Sequence, residues 1–295
     1  MAMPERERYR DRILDELAEK HQDQLGDALD TLERQIRELM NEAPLRGDSL
    51  FDLEWAVSAR PKIQGLMANT YSRAADAVVR EYQGVAVSAE RMLNQYGDFT
   101  DLDPAVVTQL QQLSFQGFED VASTHLDIIS RQIYQNTITG NSFENSVRQI
   151  SQSINGVYAS TDDREAQKLV NLAKFGSPAE QKEAIEKLHT KFSRDRVGRN
   201  MRRYATQIAQ DSLMQFDASI NIAVAKATGI TKYKYYGSLI NDSREFCRKH
   251  VGKTYTEEEI QQIWSADFQG KAAGDPLIVR GGYNCRHHWL PIVED

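Results

Sequence analysis

The sequence predicts a mainly α protein with a small C-terminal α+β module, its long helices packed as an elongated bundle. Three observations carry that expectation. Apolar residues recur at helical spacing over most of the chain. The seven prolines among 295 residues are spread thinly, which favours long helices over strands and turns. Near residue 231 the period changes, and five of the eight cysteines and histidines fall in the last 50 residues.

In chain order, residues 5–42 read as one helix. Leu25, Leu29, Leu32, Ile36 and Leu39 recur at spacings of four and three, a heptad-like seam, and Pro44 lies just past the end. His21 sits on the same stripe and reads as a packed histidine. A second helical stretch covers about 50–94. Asp103-Pro104 opens another, with Asp as N-cap and Pro at the first position. Its expected core face is Leu110, Leu113, Phe118, Val121, Ala122, His125, Ile129 and Ile133, with His125 a buried imidazole.

Ser142 caps a helix closed by Asn155-Gly156. A further helix spans about 162–174, and Ser177-Pro178-Ala179-Glu180 is a capping box opening one to about 189. Arg199 to Ala227 carries the stripe Met201, Tyr204, Ala205, Ile208, Leu213, Phe216, Ile220 and Ala223, with Gly229 as its stop. Thr231 to Tyr236 then alternates Lys and Tyr as a half-exposed strand does. Thr254-Tyr255 is extended, Thr256 to Glu259 is a capping box for a short helix to Trp264, and 277–279 and 289–293 are strand candidates. The expected organisation is a helical region over 1–140 offering heptads to partners, a helical segment over 141–230, and the module over 231–295.

Composition narrows the function. Hydrophobic content of 40% and charged content of 27% are those of a soluble globular protein. A net charge of −7 argues against a protein that coats nucleic acid. Lys191, Arg194, Arg196, Arg199, Arg202 and Arg203 nevertheless form a local basic strip, a candidate contact for phosphate, DNA or an acidic partner, or else a solvated face. The N-terminus is charged rather than apolar, and no apolar run approaches the roughly 20 residues of a membrane span. The expected setting is a reducing cytoplasm, with no membrane partner.

The chemistry concentrates in Cys247-x2-His250 and Cys285-x-His287-His288. Two short pairs of soft and borderline ligands suit a tetrahedral metal ion. One reading is a Zn²⁺ ion held by Cys247, His250, Cys285 and His287, with His288 as the alternative. Such a closed, structural site would contribute on the order of 10 kcal/mol or more to a module too small to hold itself. A second is a Cys247–Cys285 disulfide across about 38 residues, worth roughly 4 kcal/mol. A third is two buried free thiols among surface histidines. No Ser-His-Asp set, Walker loop, HExxH or GxGxxG occurs, and no catalytic residues are assigned.

The tail also has a recognisable order. Ile208-Ala209-Gln210-Asp211 and Asn221 lie on the long helix, followed by Gly229-Ile230 and Tyr235-Tyr236-Gly237. Asp242-Ser243-Arg244 with Cys247 and His250 comes next, then Gly252-Lys253-x-Tyr255, and finally Gly282-Tyr283-Asn284-Cys285-Arg286-His287. Over about residues 140–293 this resembles the phage Mu F-type head-morphogenesis family, the minor head or minor capsid proteins of tailed phages. Many members end in Asn-Cys-Arg-Cys, and here His287 takes the place of the last Cys. The resemblance implies a structural, portal-associated role in head (procapsid) assembly, with packaged DNA or its ejection as a further involvement. It implies portal, capsid and scaffold proteins as partners, oligomeric placement on the particle, and location in the virion head after assembly in the host cytoplasm. The alternative from the residues alone is a metal-dependent nuclease or toxin-like enzyme acting on nucleic acid.

Overall fold

The structure, a computed structural model, describes residues 5–50, 52–93, 104–158, 168–169, 171–172, 176–184, 187, 196–197, 200–241, 243–283 and 285–292. It is mainly helical with a small antiparallel sheet in the tail, as the sequence predicts. In order come α1 (Glu5–Asn41), β1 (Leu45–Arg46), β2 (Ser49–Leu50), α2 (Leu53–Met67), a π-helical turn (Ala68–Ser72), α3 (Arg73–Leu93), α4 (Pro104–Thr139), α5 (Phe143–Asn155), β3 (Val157–Tyr158) and β4 (Arg196–Val197). Then follow α6 (Met201–Thr228), β5 (Lys232–Tyr236), α7 (Glu245–His250), β6 (Thr254–Thr256), α8 (Glu257–Trp264), α9 (Pro276–Val279) and β7 (His288–Ile292). No described helix is long and apolar enough to cross a membrane.

The chain divides into two compact units, each assembled from separate segments. One unit comprises residues 25–73 and 120–206. Its core includes the α1 seam, where Leu25, Leu29, Leu32 and Ile36 are fully buried, together with Ile63, Tyr71, Ile129 and Ile133. Asp52 starts α2 by accepting from the Trp55 backbone amide at 2.8 Å, and Ser142 does the same for α5 through Asn145. Arg202 is buried and donates to Asn155 Oδ1 (2.8 Å), the Gly26 carbonyl (2.9 Å) and Asp30. Gly26 admits that guanidinium, since a Cβ there would stand 2.6 Å from its Nη1.

The other unit comprises residues 1–24, 74–119 and 207–295. Tyr82 of α3 is fully buried, packs on Phe216 of α6 at 5.3 Å, and shares a 2.7 Å hydrogen bond with Ser212. Arg10 of α1 pairs with Asp217 of α6 and donates to Asn221 Oδ1 at 2.8 Å, and Asn221 in turn donates to Asp217 at 3.3 Å. The tail sheet has the order β6-β5-β7, antiparallel throughout, with Tyr233 opposite Tyr255 and Tyr235 opposite Trp289. Period-two alternation sends Tyr233 and Tyr235 inward, onto Phe246, Trp264, Leu277 and Trp289.

Both histidines expected to be packed are so. His21 is fully buried against Tyr82 and bonds Glu81 at 3.2 Å; His125 is buried with Nδ1 on the Val121 carbonyl at 3.0 Å. Tyr204, expected on the apolar stripe of α6, is 37% exposed, and three further local expectations fail for physical reasons. Leu113 is 65% exposed: five residues before Phe118, it lies about 140° around the helix from that face. Residues 276–279 are a helical turn rather than a strand, because Asp275 accepts from the Leu277 amide at 2.9 Å with Pro276 at the first position. The long helix begins at Met201, not Arg199, because Asn200 caps it by accepting from the Arg203 amide at 2.9 Å. The Asp103 cap and most of the 162–174 helix lie outside the described residues.

Candidate metal centre

The site is built where three short pieces of the tail meet. Inward alternation on β5 delivers Tyr235. The first turn of α7, entered from an extended Arg244 (φ −60°, ψ 153°), delivers Cys247. The loop after α9 returns Cys285 and His287 just before β7 pairs with β5. Arg280 fixes that loop: it is buried, sits at φ 58°, and donates to the carbonyls of Ile278 (3.0 Å) and Cys285 (3.1 Å). A side-chain-bearing residue in the left-handed region is costly, and these two bonds hold it there. Arg244 adds a bond to the Gly281 carbonyl at 3.3 Å and another to that of Tyr283.

Cys247, Cys285 and His287 converge, all buried, with their ligand atoms within 4.8 Å of one another. The two sulfurs are 3.9 Å apart, and His287 Nδ1 is 3.6 Å from Cys285 Sγ. Both cysteines are free thiols, so the disulfide is not formed in this structure. The Tyr235 hydroxyl lies 3.6 Å from Cys247 Sγ and 3.4 Å from Cys285 Sγ. Its ring stacks on His287 at 5.4 Å and 15°. A Cβ on Gly281 would come within 2.6 Å of Cys285 Sγ and Tyr235 Oη and 2.8 Å of Cys247 Sγ, so only glycine leaves this space open. Gly237 gives similar clearance beside the His287 ring, at φ 145°.

The electrostatics suit a cation. The Cys247 thiol donates to the Cys285 sulfur, which pushes Cys247 up and draws Cys285 well below the usual thiol range; His287 and Arg280 reinforce the second shift. Burial, followed by the cysteines' negative charge, raises Tyr235 well above an ordinary phenol. A soft sulfur pair with one imidazole, beside the space kept clear by Gly281, can hold a metal ion.

His250 does not join the cluster. Its Nδ1 is engaged by the Tyr255 hydroxyl at 2.7 Å and its ring lies on Phe246 at 4.6 Å. The x2 spacing places it a turn along α7 from Cys247, where β6 supplies a closer partner. His288 is also buried and outside the convergent group, on β7 opposite Tyr236. Burial, with Arg10 and Arg280 nearby, pushes its pKa down to about 3. The sequence marks Tyr235 as part of the Tyr235-Tyr236-Gly237 run and as an alternating position of β5, and Gly281 as half of a Gly-Gly pair that frees the backbone for a tight approach, but it gives neither a place beside the sulfurs.

A cavity of about 790 Å³ reaches the cluster, lined by Cys247, Cys285 and His287 together with Arg244, Arg286 and Asp15. Arg286 pairs with Asp15 at 3.5 Å. The basic strip is only partly an exposed surface. Arg203 is exposed, but Arg202 is buried among Asn155, Gly26 and Asp30, so its charge is already committed. Arg196 lies on β4 opposite Tyr158, while Lys191, Arg194 and Arg199 lie outside the described residues, as do Asp242 and Asn284.

Fold and site together define a helical protein whose tail module carries a buried group of two cysteines and one histidine able to hold a metal ion. No family model, no curated protein and no solved structure matches the chain.

Proposed function

We propose that the chain is a minor head protein of a tailed phage, acting structurally in procapsid assembly beside the portal, with a Zn²⁺ ion stapling its tail module. The observation that supports this most is the convergence of the residues that carry the family resemblance. Asn221 joins Asp217 and Arg10; Tyr235, Cys247, Cys285 and His287 gather into one buried group. Residues spaced over some 65 positions thus serve one packed module, which is how a fold-holding motif behaves. Bound zinc would supply cross-linking between β5, α7 and the β7 approach, and no reaction step is assigned to it.

The cavity beside the cluster favours a second reading, a metal-dependent nuclease or toxin-like enzyme on nucleic acid. One experiment separates the two. The chain is co-expressed with the portal and scaffold proteins of a tailed phage encoding it, and portal rings or procapsids are isolated. Co-purification is the expected result. Absence from both, with Zn²⁺-dependent cleavage of DNA by the purified chain, would replace the structural reading with the enzymatic one. Metal analysis of the purified protein should give one ion per chain, lost in Cys285→Ser.

A further inference from the structure

Three protein atoms leave a tetrahedral ion one ligand short, and the residue expected to supply it, His250, is engaged elsewhere. Resting on the reading that the cluster holds a divalent metal, we infer that Tyr235 is the fourth ligand, its phenol oxygen completing a Cys247–Cys285–His287–Tyr235 centre.

The distances carry this. A tetrahedral ion with bonds of about 2.3 Å to sulfur and about 2.0 Å to nitrogen or oxygen requires edges of about 3.8 Å between sulfurs and about 3.5 Å from sulfur to the lighter atoms. The observed edges are 3.9 Å from Cys247 Sγ to Cys285 Sγ and 3.6 Å from Cys285 Sγ to His287 Nδ1. From Tyr235 Oη to the two sulfurs they are 3.4 and 3.6 Å. Tyr235 Oη thus stands from each sulfur at the distance a ligand oxygen would occupy.

Two independent features agree. Among the described residues the Tyr235 hydroxyl has hydrogen bonds to the two sulfurs and to nothing else. The ring is fully buried and fixed on three sides by His287, Phe246 (5.9 Å, edge-on) and Trp289 (4.4 Å), so its oxygen cannot swing to another partner without repacking the core. Gly281, meanwhile, keeps clear the space bordered by the two sulfurs and this oxygen. On metal binding the phenol O–H bond and the S–H bonds of the cysteine thiols would break, their protons would leave to solvent, and the freed electron pairs on oxygen and sulfur would go to the ion. The opposing arrangement is a phenol that only donates to the thiolates while the cavity supplies water as an open fourth ligand.

The test uses the full chain with Zn²⁺ and Co²⁺, and Tyr235→Phe, which keeps the ring stacked and removes only the oxygen. Weaker binding alone does not decide, since loss of an outer hydrogen bond also costs about 10–100-fold. The deciding readouts are spectroscopic. Zn²⁺ loading of the parent should produce the ultraviolet signature of an ionised tyrosine, absent from Tyr235→Phe. The visible spectrum of the Co²⁺-loaded parent should be unmoved by added azide, while that of the variant should respond. A parent with no ionised-tyrosine signal, or whose Co²⁺ spectrum shifts with azide, has an open site and overturns the inference. Both of those measurements are made on the parent, so misfolding of the variant leaves them decisive. A parent that binds neither metal refutes the metal centre itself, a distinguishable failure.

Discussion

Gly281 shows how closely the site is drawn around its ligands. With a Cβ that would stand 2.6–2.8 Å from three ligand-type atoms, Gly281→Ala has to displace a cysteine or the loop. It should abolish stoichiometric Zn²⁺ binding and lower the Tm of the metal-loaded protein, both checked by competition with a chelator dye and by thermal melts. Arg10 makes a different kind of prediction. Its partner Asp217 is 1% exposed, so Arg10→Met leaves a buried carboxylate without its cation and should cost about 3–5 kcal/mol in denaturant unfolding. At this scale the sequence was readable where periodicity alone decides, as for His21 and His125. It was not readable at His250, because a pair spacing of three suits a metal turn and a helical turn equally. Only the arrival of Tyr255 from a neighbouring strand distinguishes them.

Among elements, α1 and α6 were the most legible, since long stripes of Leu, Ile and Phe admit one helical phase. Leu32 is fully buried in the α1 seam; Leu32→Ala should therefore lower unfolding free energy by about 2–5 kcal/mol with little change in helical content by circular dichroism. Short elements were less legible. The 276–279 segment has the apolar, β-branched composition of a strand, and one capping carboxylate at Asp275 turns it into a helix. The tail's capping box at Thr256 and Glu259 was legible because its signal is local, and both of its reciprocal bonds are present at 2.8 and 3.3 Å. Within the basic strip the charges do not all face one way: Arg203 is exposed and Arg202 is buried. Arg202 points inward through a gap that Gly26, 176 residues earlier in the chain, leaves open.

For the molecule as a whole, the histidines set an acid limit. Burial, with Lys249 and Lys253 nearby, holds His250 down to about 4 against 6.5 for an unconstrained histidine. His21 and His125 are shifted the same way, chiefly by burial. A histidine with a depressed folded pKa stabilises the fold while neutral. Below about pH 6.5 the unfolded chain takes up protons that the folded chain refuses, so that stability is lost progressively down to about pH 4. The Tm of the metal-free protein should accordingly fall across that window, and His250→Gln should make the decline shallower. The division into two units was the part of the architecture least visible beforehand. Nothing local in α1, α4 or α6 marks where each helix passes from one unit to the other.

The pairing of Arg10 with Asp217 and Asn221 has a consequence in time. The partners are separated by 207 residues, and at ~5–20 residues per second of synthesis Arg10 waits roughly 10–40 s on the ribosome for Asp217 to be made. Every segment of the unit containing residues 25–73 and 120–206 has been made before the last segment of the other begins. During that interval the face of α1 that will bury Leu14 and Ala18 has no native cover of its own from α6 or the tail. Arg10 and the α1 face around Leu14 and Ala18 are therefore among the last parts of this unit to be locked, closing only once α6 and the tail module have been made.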